Sequence, residues 1–222
     1  KLKGFGFGEK TKIELPGETT GLFSNPENWS VRTKHTIAIG QEIGVSALQI
    51  TQAATAFTNG GNIVKLSLIS KITDSDGNIV YLHKPSVVNK AISEKTAKLL
   101  LSYMRTGSIE GIAWRAAING VPIAVKTGTA QMANKDGKGY SKTDFLSSCI
   151  GIFPADDPKV ILYAVFAKPV GQIYGSVIAA PAISQAASDI IDYLGLAREN
   201  APTVEHTGRI SVSENKPIVL KT

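Results

Sequence analysis

Lys126-Thr127-Gly128-Thr129-Ala130-Gln131 is the stretch of this 222-residue chain whose residue types and spacing could do chemistry. It follows the apolar run Val121–Val125, which reads as a strand, so Lys126 is expected at or just past the strand's end, its ammonium at the sheet edge and facing a groove. In an extended backbone Thr127 and Thr129 fall on one side, two hydroxyls in a row. Gly128 between them has no side chain, so a ligand could approach the main chain closely. A fixed cation, two hydroxyls and exposed N–H groups suit a substrate carboxylate and a developing oxyanion. The same triplet could equally do no more than start a turn.

The elements that must hold this row are legible in outline. The first forty residues are rich in Gly, Pro, Asn and Thr, with turn signals at Pro16-Gly17 and Asn25-Pro26, and read as extended and loop-dominated. Ser46 is placed to cap a helix running to about Thr58, with Leu48, Ala53, Ala56 and Phe57 on its buried face and Asn59-Gly60-Gly61 as its stop. The alternating run Ile63–Thr73, the turn Asp74-Ser75-Asp76-Gly77 and the run Asn78–Leu82 predict a β-hairpin. Ser93 caps a second helix through Leu99, Leu100 and Met104, ended by Gly107.

In the last third, Val121–Lys126, Leu146–Phe153 and Val160–Ala167 look like adjacent strands. The second and third are joined as an antiparallel hairpin by Pro154-Ala155-Asp156-Asp157-Pro158. Pro181–Leu194 reads as a helix burying Ile183, Ala186, Ala187, Ile190, Ile191 and Leu194. An antiparallel sheet flanked by helices is an α+β fold. Residues 134 to 143, with two glycines, three lysines and only Tyr140 as an anchor, predict a mobile loop beside the candidate row. From Ala197 the sequence turns polar, so residues 1–196 are expected to form the domain and 197–222 a linker or tail.

Composition narrows the classes. With 43% hydrophobic and 19% charged residues, the chain is no disordered polyampholyte. The longest apolar run, Val160–Ala167, has eight residues, less than half of a membrane span. The net charge of +6 is spread thinly, with Lys135, Lys138 and Lys142 its densest group, so solvated surface lysines are expected and no nucleic-acid partner. His35, His83 and His206 are far apart and no Cys/His cluster has ligand spacing, so no metal is expected. Cys149 cannot form an internal disulfide and is expected as a small buried side chain, which leaves the redox compartment open.

Lys126-Thr127-Gly128 matches the third motif of the serine penicillin-recognising enzymes. The extended Lys-Thr-Gly-Thr-Ala-Gln resembles that of the class B penicillin-binding proteins, the peptidoglycan D,D-transpeptidases. Further stretches agree in family order: Phe5-Gly6-Phe7-Gly8-Glu9-Lys10-Thr11, Glu14-Leu15-Pro16-Gly17-Glu18, and Ile39-Gly40-Gln41-Glu42-Ile43-Gly44-Val45-Ser46. So do Thr55-Ala56-Phe57-Thr58-Asn59-Gly60-Gly61 and Gly151-Ile152-Phe153-Pro154-Ala155-Asp156-Asp157-Pro158. The resemblance covers roughly residues 1 to 195. It implies part of a penicillin-binding, β-lactamase-like transpeptidase domain, with no metal or organic cofactor. By it, Lys126 and Thr129 are catalytic: Lys126 holds the active-site hydrogen-bond and charge network, and the Thr129 backbone N–H is an oxyanion donor. Thr127, Gly128, Thr129 and Gln131 bind the substrate, the two threonines through its carboxylate.

The family's other motifs, Ser-x-x-Lys and Ser-x-Asn, do not precede Lys126 here. Ser213-Glu214-Asn215-Lys216 fits both patterns but lies in the polar tail, after the third motif and on one segment, and is read as coincidence. Since the chain starts at Lys1 without Met, it is expected to be the C-terminal part of such a domain, lacking its nucleophile and inactive alone. The partners implied are stem peptides ending in D-Ala-D-Ala and β-lactams, with the parent protein membrane-anchored in a cell-wall synthesis complex. Its implied place is the outer face of the bacterial cytoplasmic membrane, although the sequence has no anchor or signal. A β-lactamase or carboxypeptidase of the same superfamily is disfavoured by Thr129-Ala130-Gln131 and Phe-Gly-Phe-Gly. A non-catalytic β-lactam sensor or scaffold stays open.

Overall fold

A computed structural model describes residues 1–134 and 139–198. Ser213–Lys216 and the tail beyond residue 198 lie outside the described residues, as do residues 135–138 of the expected loop. The N-terminal forty residues form loops with short helical turns, among them α1 (Thr33–Thr36). Carboxylates hold these loops in shape. Glu18 accepts from the Thr11 hydroxyl, above all, and from the Lys12 and Thr11 N–H groups, which keeps its pKa below the ordinary 4.5.

Helix α2 (Ala47–Thr58) starts on a capping box: Ser46 Oγ accepts from the Gln49 N–H while Gln49 Oε1 accepts from the Ser46 N–H. It stops where expected, and Gly61 is obligatory there, since a Cβ would lie 1.9 Å from the Ile92 carbonyl oxygen. Its buried side is more polar than expected. Gln49, Gln52 and Thr55 are buried beside Ala53, Ala54 and Ala56, while Leu48 and Phe57 are only half-buried. Their polar atoms serve neighbouring backbone, as where Thr55 Oγ1 accepts from the Val64 N–H.

The single hairpin predicted over 63–82 is instead two short pairs. Strands β1 (Asn62–Val64) and β4 (Val87–Lys90) pair with each other, and β2 (Lys71–Thr73) pairs with β3 (Ile79–Leu82). The carboxylate of Glu14 explains the split. It accepts from the Leu68 N–H at 3.0 Å and the Ser67 hydroxyl at 2.9 Å, drawing that segment away from any ladder. The turn itself forms as expected, with Asp74 Oδ1 accepting from the Asp76 and Asn78 N–H groups.

Helix α3 (Glu94–Ile109), capped by Ser93, continues past Gly107 instead of ending there. Its last turn lies on the segment that leads into the next strand, where the Ser108 hydroxyl donates to the Ile123 carbonyl at 2.7 Å, and this contact outweighs glycine's low helix propensity.

The main sheet has strand order β5 (Ala124–Ala133), β6 (Tyr140–Phe153), β7 (Val160–Ala167), all antiparallel. Two expectations change here. Strand β5 runs on through the candidate row, so Lys126 is its third residue and not its end. Tyr140–Thr143 belong to β6, with Ala133 paired to Tyr140, and are not part of a mobile loop. Helix α4 (Gly175–Leu194) begins before Pro181, which sits exposed in its second turn at the cost of one ladder bond. It buries Ile178, Ala179, Ala180, Ile183, Ala187 and Ile191, whereas Leu194 is exposed.

Pleating divides the sheet between two cores. Val125, Cys149 and Phe153 pack under α4, while Ala124, Ile152 and Ala155 meet Leu101 of α3 with Phe57 and Met104 at the margin. The result is the expected α+β arrangement, a main antiparallel sheet with helices on both faces beside two short strand pairs.

Candidate active site

Strand β5 is an edge strand, and its outer side takes no strand partner among the described residues. The pleat that buries Ala124 and Val125 on opposite faces sorts the residues after them. Lys126 and Gly128 follow Ala124 to the side of α2 and α3, and Thr127, Thr129 and Gln131 follow Val125 to the side of α4. The threonines thus share a face as expected, whereas Lys126 reaches the edge from the other face. Lys126 is exposed, and its Nζ donates to the Thr127 carbonyl at 2.5 Å.

Gly128 faces Ser148 in the ladder, and a Cβ on it would stand 2.6 Å from Ser148 Oγ, so a larger residue there would force the serine hydroxyl to turn away. Thr129 pairs with Ser147 and accepts a hydrogen bond at Oγ1 from the Gly175 N–H. Gln131 Nε2 donates to the Ser141 carbonyl at 3.1 Å, which ties its side chain along the hairpin. Cys149, opposite Thr127, is buried, and its thiol is pushed up to about 12 by burial, against a smaller opposing pull from the Lys126 charge.

The row is an open strand edge. Clefts of about 430 and 480 Å³ open elsewhere, the first between α2, α3 and Asp156, the second around Lys3, Lys12 and Lys65, and no residue of the row lines either. The sequence predicts that Lys126 faces a groove, and neither of these clefts is in front of it. Among the described residues no three His, Cys, Asp or Glu side chains come together as a metal ion would require, and no helix is long and apolar enough to cross a membrane.

The family described as the penicillin binding protein transpeptidase domain matches residues 1–190. The chain belongs to that family. Among relatives, it is 34% identical to Stage V sporulation protein D of Bacillus subtilis over 197 residues, 88% of this chain and 30% of that protein. It is 31% identical to the penicillin-binding protein PbpB of Mycolicibacterium smegmatis over 210 residues, 90% of this chain and 32% of that one. The chain spans about a third of the length of these curated relatives. Penicillin-binding protein 3 of Mycobacterium tuberculosis, in crystals with ampicillin, superposes with a TM-score of 0.80 at 26% identity over 91% of this chain and 46% of that one.

Within a penicillin-binding transpeptidase domain, then, the motif strand is an edge strand docked on the N-terminus of α4. Sequence reasoning missed that docking. Gly175 and Ser147 carry it, the former through Thr129 and the latter through a hydrogen bond from its hydroxyl to the Ile173 carbonyl. Ser147 lies in the expected strand 146–153 and Gly175 ahead of the expected helix, but nothing local singles either out, and only the folded register brings them to the motif.

Proposed function

We propose that this chain forms one wall of the active site of a serine D,D-transpeptidase that cross-links peptidoglycan stem peptides. The observation that carries the reading is the open edge of β5, which offers a cation, two hydroxyls and main-chain donors along ten residues of strand. Membership of the transpeptidase family supports it. In this reading a serine from a segment preceding Lys1 in a longer protein attacks the penultimate D-Ala carbonyl, and the Thr129 backbone N–H donates to the oxyanion. The terminal D-Ala leaves with a proton, giving an acyl-serine. The amine of a neighbouring stem peptide attacks that ester, forming the cross-link and releasing the serine.

Thr127 and Thr129 hold the terminal carboxylate, Gln131 lines the cleft, and Lys126 supplies positive charge to the nucleophile's network. A β-lactam enters by the same carboxylate contacts and acylates the same serine. The domain would then work outside the cytoplasmic membrane, where its substrate lies, in a membrane-anchored parent engaged in cell-wall synthesis for division or cell shape. No cofactor is called for.

Intact-mass spectrometry with a labelled penicillin tests this reading. The 222-residue chain should gain no adduct, and the protein extended upstream should gain one. Lys126→Ala in the longer protein should slow acylation about 10²–10³-fold. An adduct on the chain itself, at Ser213 for instance, or an unchanged rate for Lys126→Ala, would overturn it.

A further inference from the structure

Helix α4 starts on a cap borrowed from the motif strand. Its N-cap, Tyr174, gives no side-chain acceptor, and the Gly175 N–H donates to Thr129 Oγ1 at 3.0 Å, 46 residues earlier in the chain. The first N–H groups of a helix have no partner inside it, so such an acceptor satisfies a real need. The approach is very close. A Cβ on Gly175 would stand 2.3 Å from the Gly128 carbonyl oxygen and 2.4 Å from that of Ser148. Both are backbone atoms of paired strands and cannot swing aside. The Ser147 hydroxyl fixes the residue before the cap by donating to the Ile173 carbonyl.

We propose that Gly175 is a positioning residue for substrate recognition, and the proposal rests on the reading in which Thr129 contacts the substrate carboxylate. A threonine hydroxyl has one proton and two lone pairs. The Gly175 N–H occupies a lone pair, so the hydroxyl cannot turn its own proton toward the helix. That proton meets no acceptor among the described residues, and Thr129 is exposed, so the proton is left free for a carboxylate oxygen arriving from solvent. The positive end of a twenty-residue helix behind the oxygen polarises the O–H and strengthens it as a donor. Only glycine allows this approach.

The test uses the full-length protein and two acylating agents: benzylpenicillin, with a free carboxylate, and its methyl ester, with none. The readout is the ratio of their acylation rates. Thr129→Val should lower that ratio about tenfold or more, the loss of one hydrogen bond to a charged group, and Thr129→Ser should largely keep it. Gly175→Ala should lower the ratio by a similar factor, and adding it to Thr129→Val should change little further, because both remove one oriented proton. If Thr129→Val leaves the ratio unchanged, the reading of Thr129 fails. If Thr129→Val lowers it but Gly175→Ala does not, including the case in which both rates fall together, the positioning role is overturned and the reading of Thr129 stands. Should Gly175→Ala not fold, hydrogen exchange of the Gly175 amide in Thr129→Val decides: faster exchange supports the contact, and unchanged protection overturns it.

Discussion

Tyr140 and Glu42 meet across 98 residues of sequence, the Glu42 N–H donating to the Tyr140 phenol oxygen at 2.8 Å. Glu42 has a left-handed backbone, φ 59°, uncommon for a residue with a side chain. Its carboxylate accepts from the Thr33 and Thr36 hydroxyls, each at 2.6 Å, which holds the residue in that conformation. The Gly40-Gln41 loop is thereby tied at one side to α1 and at the other to the start of β6, in the hairpin that carries Lys126–Gln131.

Tyr140→Phe should release the loop from the hairpin while keeping the ring. The expected result is faster hydrogen exchange at the Glu42 amide, with little change at amides of the β6–β7 pair. Unchanged protection at Glu42 would show that the phenol is not its acceptor in solution.

The same loop should be acid-sensitive. Hydrogen bonds first from Thr33 and then from Thr36 hold the Glu42 carboxyl below its ordinary 4.5. A carboxylate whose folded pKa is lowered stabilises fully above its unfolded value and loses that contribution as pH falls through the folded one. Loop protection should therefore be constant from neutrality down to about pH 5 and fall below 4.5, and Glu42→Gln should flatten that share of the profile. A Glu42→Gln variant with the parent's full acid transition would refute the assignment.

Gln49 is the next point of weakness. Its amide donates to the Glu9 carbonyl at 2.7 Å and the Thr20 carbonyl at 3.0 Å, and its oxygen accepts from the Ser46 N–H at 2.9 Å. Gln49→Leu keeps the volume but takes the partner from three partly buried backbone groups. The expected loss is about 3 kcal/mol or more by denaturant unfolding, since three groups each lose a partner at a cost of about 1–3 kcal/mol. A loss under 0.5 kcal/mol would mean water replaces the amide.

Ile183, fully buried between α4 and the sheet, gives an apolar comparison. Ile183→Ala should cost roughly 2–5 kcal/mol and lower the unfolding midpoint without altering the loop exchange described for Glu42.

These residues also mark how far the sequence could be read. The three strands, the Ser46 and Ser93 caps and the apolar face of α4 were legible because period and capping are local signals. The Lys-Thr-Gly-Thr run was legible as a motif. Its setting was not, because the strand continues through it by pairing with Leu146–Ile150, a non-local event. The split of the expected hairpin depended on Glu14, more than fifty residues away, and the early start of α4 on Thr129. In these last two cases one polar side chain from a distant segment overrode the local pattern.

Cys149, finally, turns the buried face of the motif strand into its own stopwatch. The sole thiol of the chain sits directly opposite Thr127, sealed under α4, with its pKa pushed up to about 12. Alkylating reagents and oxidants attack the exposed thiolate, so the closed protein is silent to them at neutral pH, whichever compartment it occupies. Modification must wait until β5 parts from β6 or α4 lifts away. The speed at which a maleimide consumes Cys149 under native conditions therefore counts the spontaneous openings of the strand that carries Lys126 to Gln131, with no label to introduce and no residue of the row to alter.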